Sequence, residues 1–78
     1  MTPSDLHLIE ALTPDNPELE TLLADHTRYE SALEAFASRS WLSPEEEAQV
    51  RRLKREKLAG RDRIETILEP HRAARRAG

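Results

Sequence analysis

Residues 40–46, SWLSPEE, end one helical pattern and begin another. Ser43 and Glu46 have the spacing of a capping box, in which each side chain accepts a hydrogen bond from the other residue's backbone N–H. Pro44 stands between them in the first helical turn, where no backbone donor is needed. The sequence therefore predicts that a helix begins at about residue 44 and that the chain bends just before it.

Two amphipathic helices flank this bend. Asn16 and Pro17 form a second start signal, with an amide side chain that can cap a helix and a proline at its first position. The apolar residues that follow alternate at three- and four-residue spacings, which is typical of a coiled-coil helix. The predicted helices span about residues 17–39 and 44–69, because Pro70 disfavours continuation.

Composition limits the size of the core. The chain has 78 residues, enough for one small domain, and its 37% hydrophobic content is matched by 35% charged residues. With one Trp, one Tyr and one Phe, the core must consist mostly of aliphatic side chains, as in helical bundles. We therefore predict an all-α fold.

The predicted architecture is an antiparallel two-helix hairpin of the coiled-coil type over residues 16–70, because so short a connection places two helices side by side in opposite directions. The apolar stripes of both helices then form one seam, which includes one histidine and one lysine. The predicted seam consists of Leu19, Leu22, His26, Tyr29, Leu33, Phe36, Val50, Leu53, Lys57, Ile64 and Leu68.

A bend centred near Trp41 predicts which residues lie at the same level. His26 falls level with Lys57, which predicts a polar layer midway along the seam. We expect Trp41 to be partly buried where it closes the bend end, since a large ring there would shield the last apolar layer. The remaining predicted layers are Leu33 with Val50, Tyr29 with Leu53, and Leu19 with Ile64.

The two ends of the chain carry weaker signals. Residues 1–15 contain Leu8, Ile9 and Leu12 on one helical face, and such a short helix either packs near Leu19 and Leu68 or stays mobile. Residues 71–78 contain Arg72, Arg75 and Arg76 among alanines, and the sequence predicts a disordered basic tail there.

The second helix carries a resemblance to a known family. The segment LKREKL at residues 53–58, followed by RDRI at 61–64 and by Leu68, resembles the leucine- and lysine-rich segment of the YdcH-like family of short bacterial proteins. In the first helix, Leu22, His26, Tyr29 and Leu33 stand where that family has leucine, histidine, leucine and isoleucine. Gly60 departs from the pattern, since a larger residue is expected there. The resemblance implies a helical hairpin in the bacterial cytosol and no established activity.

No catalytic, cofactor or metal site is predicted. The three histidines, His7, His26 and His71, lie in separate elements, and the chain has no cysteine for a thiolate site or disulfide. A two-helix hairpin also has no room for a ligand pocket of ordinary size, so we expect no enzyme activity. The N-terminus has neither a basic n-region nor an apolar run, and we expect a cytoplasmic protein without a membrane span.

The predicted function is a protein–protein interaction or oligomerisation module. Leu23, Leu58 and Ile67 flank the seam and would be covered if two hairpins formed a four-helix bundle, that is, a homodimer, although an unidentified protein partner would also cover them. Against self-association stand the high charge and the N-terminal segment, which could itself cover the seam.

Two further readings concern charged residues. A nucleic-acid-associated helper protein would use Arg51, Arg52, Lys54 and Arg55 with the tail arginines. A net charge of -3 and the absence of aromatic residues among these cations argue against it.

His26 is either a structural polar layer that sets the register of the seam or a pH sensor, because histidine changes charge near neutral pH.

Overall fold

The computed structural model describes residues 2–77. It contains α1 (Pro3–Leu12), a 3-10 turn (Thr13–Asp15), α2 (Pro17–Ala37) and α3 (Pro44–Ala77). No strand occurs between residues 2 and 77. The predicted all-α class is therefore confirmed.

Capping side chains set where α2 and α3 begin. The backbone N–H of Glu46 donates to Ser43 Oγ at 3.1 Å, and the N–H of Ser43 donates to Glu46 Oε1 at 3.0 Å. At the start of α2, the N–H of Leu19 donates to Asn16 Oδ1 at 3.0 Å. Each bond satisfies a donor that has no partner inside the helix. Both predicted start signals are confirmed.

The N-terminal segment forms a helix with a capping box of its own. The N–H of Asp5 donates to Thr2 Oγ1 at 3.2 Å, and the N–H of Thr2 donates to Asp5 Oδ2 at the same distance. Leu8 and Ile9 of this helix are buried. The N-terminal segment is therefore packed against the other helices, which was one of the two predicted alternatives.

The buried core lies at the end of the molecule where three helices meet. Its members are Leu8, Ile9, Leu19, Ile64 and Leu68, with Leu12, Leu22, Leu23 and Ile67 packed against them. α1 supplies the third covering surface at this end, so the aliphatic side chains there are shielded on more than one side.

Ion pairs join the α2 half of the chain to α3. They are Glu18 with Arg63 at 2.8 Å, Glu30 with Lys57 at 3.7 Å, and Arg39 with Glu46. As the residue number rises along the first half, the number of the partner falls. These pairs therefore hold α3 against the first half of the chain.

The C-terminal end differs from its prediction. α3 continues through Pro70 to Ala77, whereas the sequence predicts a helix end at about residue 69 and a disordered tail over 71–78. Gly78 lies outside the described residues. Pro70 cannot donate a hydrogen bond to the preceding turn. However, Arg72 and Arg76, which follow Pro70, bind glutamates that precede it. These contacts are Arg72 with Glu65 at 2.5 Å and Arg76 with Glu69 at 2.8 Å.

The bend also differs from its prediction. Trp41 is 69% exposed, whereas the sequence predicts a partly buried ring that closes the hairpin. Leu42 is half-buried and lines a groove with Phe36 and Val50. The smaller neighbour thus lies beside the last apolar layer, and the indole remains in solvent.

Candidate interaction surface

Burial decreases along the helix pair toward the bend. Leu19, Ile64 and Leu68 have no exposed surface, whereas Leu33 and Val50 are only half-buried. α1 covers one end alone, and each of two paired helices can bury only the side that faces the other. The half of the seam near the bend therefore remains partly open to solvent.

Four shallow grooves follow one another along one side of the molecule. The groove at the bend end has a volume of about 260 Å³ and shares Leu33 and Lys54 with the next groove, which holds Leu58. That groove shares Lys57 and Arg61 with a third groove. The shared residues make the grooves parts of one surface.

The fourth groove completes this surface at the α1 end. It shares His26 and Glu30 with the third groove and adds Leu6 and Leu23. We call the whole surface the open face. It consists of Leu6, Leu23, His26, Thr27, Glu30, Leu33, Phe36, Ala37, Leu42, Val50, Lys54, Lys57, Leu58 and Arg61.

The open face is apolar at both ends and polar in the middle. Leu6, at the α1 end, is 51% exposed, and Leu58, which lines a groove with Lys54, Lys57 and Arg61, is 56% exposed. Between the apolar ends, Glu30 Oε1 lies 2.8 Å from His26 Nε2 and 3.7 Å from Lys57 Nζ. The structure thus places His26 and Lys57 around one carboxylate, midway along the helix pair.

The other ring nitrogen of His26 has no partner. Nδ1 is buried and makes no hydrogen bond within the described residues. Unpaired buried polar atoms are uncommon because the lost hydration is not replaced. His26 is therefore held by one polar contact, with Glu30, and otherwise by packing.

A further groove, about 330 Å³ in volume, lies beside Gly60 and meets the third groove at His26 and Lys57. A Cβ atom built on Gly60 would meet nothing within 4 Å. The glycine is therefore not required by a close approach of another element. The groove is lined by Leu22, Asp25, His26, Tyr29, Glu56, Lys57, Ala59, Gly60 and Arg63.

Charged pairs on this molecule hold helices to one another. Arg63 donates to both carboxylate oxygens of Glu18 at 2.8 Å, which lowers the pKa of Glu18 and raises the pKa of Arg63. The backbone N–H of Ser43 is the main cause of the lowered pKa of Glu46, and Arg39 lowers it further. These carboxylates are in their charged form at neutral pH.

The predicted seam residues separate into two groups. Leu19, Ile64 and Leu68 are buried in the core. The other members are half-buried, namely Leu22, His26, Tyr29, Leu33, Phe36, Val50, Leu53 and Lys57. The structure brings Leu19 and Ile64 into one cluster, and it places Leu33 and Val50 on one groove.

The predicted nucleic-acid contacts lie outside the core. Arg51, Arg52, Lys54 and Arg55 are all exposed, and none of them takes part in an ion pair within residues 2–77. Lys54 belongs to the open face. Leu6, Leu42 and the pairing of Arg72 are not among the residues predicted from sequence, although glutamate stands seven residues before both Arg72 and Arg76.

No protein-family model, curated protein or solved structure matches the chain. The resemblance to the YdcH-like family therefore stays a prediction. Within the described part of the chain, no group of three His, Asp or Glu side chains is placed to hold a metal ion. No helix among residues 2–77 has the length and apolar character needed to cross a bilayer.

Proposed function

We propose that this protein is a non-catalytic interaction module, in which α2 and α3 form an antiparallel hairpin and the open face binds a second copy of the chain. The observation that carries the proposal is the exposure of Leu58, at 56%, on the same groove as the half-buried Leu33. Exposed apolar side chains are more stable when another surface covers them.

The small core supports this proposal. Among residues 2–77, five are buried, and all five lie at the α1 end of the molecule. A single core in a chain of this size supplies only a few kcal/mol, roughly 3–5, toward stability. A homodimer would extend apolar packing into the half of the helix pair near the bend, and two hairpins packed in this way make a four-helix bundle.

Light scattering after size exclusion, over a wide range of protein concentration and at low and high salt, tests the proposal. We expect the mass of a dimer at high concentration, and we expect the dimer to persist in high salt because apolar contacts are not screened. A monomer at every concentration would contradict self-association.

A substitution on the open face makes the test specific. Leu58→Glu should shift the chain toward monomer with little loss of helix, because a charge would be placed in the interface while the side chain is already half in solvent. Gln49→Glu is the matched control, since Gln49 is exposed on the same helix and does not belong to the open face. Equal masses for the two variants would contradict self-association through the open face.

A nucleic-acid-associated role is the second candidate. It is favoured by the exposed cations Arg51, Arg52 and Arg55, which no described carboxylate neutralises. Such binding would weaken steeply with salt because it releases counterions. Charge reversal at Arg51 and Arg52 should leave binding partners unchanged under the leading proposal, and would abolish a salt-sensitive RNA or DNA interaction under this one.

We also propose that the chain is related to the YdcH-like family and that the protein is cytoplasmic. Support comes from the segment at residues 53–58 for the first and from the lack of cysteine for the second.

A further inference from the structure

We infer that the two chains of the dimer pack with their bends at the same end, so that α2 of each chain lies on α3 of its partner. This inference rests on the self-association proposed above and specifies the interface. It follows from how charges are divided between the two helices on the open face.

Two arrangements can stack the open faces with two-fold symmetry. If the axis runs along the helices, the bends lie together and α2 packs on the partner's α3. If the axis runs across the helices, the bends lie at opposite ends, α2 packs on the partner's α2, and α3 packs on the partner's α3. Both arrangements are isologous, so the same patch meets itself in each.

The charges on the open face distinguish the two arrangements. α3 contributes Lys54, Lys57 and Arg61, whereas α2 contributes the single acid Glu30. Packing α3 on the partner's α3 would oppose three cations with three cations, and like charges facing each other in an interface cost several kcal/mol. Packing α2 on α3 instead brings Glu30 toward the partner's Arg61.

The two helices as a whole show the same difference in charge. α2 has five acidic residues and one arginine, and the segment from Arg51 to Arg63 of α3 has seven basic residues and two acidic ones. Arg61 makes no ion pair within its own described chain, so it remains available to a partner. Apolar contacts do not favour one arrangement over the other, because both ends of the open face are apolar.

The length of the molecule makes the arrangement measurable. Its extents are 51 × 21 × 18 Å, so the bends are near each other in one arrangement and far apart in the other. The chain has no cysteine, and Ser40 and Glu10 are exposed near opposite ends, which allows one spin label to be attached at a chosen end.

Pulsed electron spin resonance on Ser40→Cys and, separately, Glu10→Cys measures the distance between the two labels of a dimer. We expect a distance well below half of the 51 Å length from both variants. A distance approaching that full length from either variant would overturn the arrangement and leave self-association intact. Absence of dipolar coupling at high protein concentration, with a monomer mass, would overturn both.

Discussion

Arg72 Nε donates to Asp5 Oδ1 at 2.9 Å and so joins the last helix to the first across 67 positions of sequence. Asp5 also accepts the backbone N–H of Thr2 at the start of α1. This backbone bond and the Arg72 guanidinium hold the pKa of the Asp5 carboxyl below its ordinary value of 3.8. The carboxylates of Glu65 and Asp5 in turn raise the pKa of Arg72. One ion pair thus links the position of α1 to the helical state of the C-terminal residues.

Acid should weaken this link. Because the pKa of Asp5 is lower in the folded chain, its contribution to stability is complete above 3.8 and is lost as pH falls from that value through the lowered pKa. We expect urea midpoints to fall in that window, and the Asp5→Asn variant to lose less over the same range. Asp15→Asn, an exposed acid with no ion pair in the described part of the chain, is the control and should behave as the parent.

Gly60→Ala should stabilise the protein. Glycine inside a helix costs about 1 kcal/mol relative to alanine, and the added methyl group would meet nothing within 4 Å. We expect the free energy of unfolding, measured by urea titration of the circular dichroism signal, to rise by about that amount. Ala59→Gly should lower it by a similar amount. A destabilised Gly60→Ala variant would show that something occupies the adjacent groove.

Ile64→Val should lower the free energy of unfolding. Removing one methylene group from a buried isoleucine costs about 0.5–1.5 kcal/mol, and Ile64 has no exposed surface. Ile67→Val makes the same chemical change one turn away at a half-buried site, so its loss should be smaller. Equal losses in urea titrations would mean that the two sites are packed to the same extent.

Trp41→Ser should leave stability nearly unchanged. Surface substitutions away from special features change stability by less than about 0.5 kcal/mol, and Trp41 is 69% exposed. As the sole tryptophan it also reports its own environment. We expect fluorescence emission typical of an indole in water and ready quenching by iodide. A blue-shifted, protected emission would instead support the partly buried ring that the sequence predicts.

His26→Leu should raise stability. The unpaired Nδ1 is removed from a buried site, while the contact with Glu30 is lost, so we expect a gain of about 1 kcal/mol, toward the low end for an unpaired polar group. The matched change Tyr29→Leu one turn away removes no unpaired atom and should not stabilise the chain.

A pH series separates the two readings of His26. If His26 is a structural polar layer, the mass and helix content of the parent stay constant between about pH 5 and 8, and this is the result we expect. A transition in that range that disappears in His26→Leu would identify a pH sensor instead.

Helix starts were predictable because they depend on neighbours in sequence. The capping bonds of Ser43 with Glu46 and of Asn16 with Leu19 each span three residues, and proline at the first helical position acts locally. The same is true of the apolar spacing that placed Leu19, Ile64 and Leu68 among the seam residues. Such features are fixed by spacing alone.

Long-range contacts were not predictable in the same way. Arg72 donates to Asp5 across 67 positions, and spacing along the chain does not indicate which distant acid an arginine will bind. The exposure of Trp41 and the half-burial of Leu42 depend in the same way on how the bend packs against the helices.

The helical class, the starts of the helices and the apolar stripe that they share could therefore be predicted from residues close in sequence. Where that stripe is buried depends on long-range packing, because burial requires a third helix and α1 covers only one end. The same packing places Leu58 and Leu33 on one open face with Glu30, Lys57 and Arg61. Spacing along a chain defines the face of each helix, but only packing shows which part of that face remains uncovered.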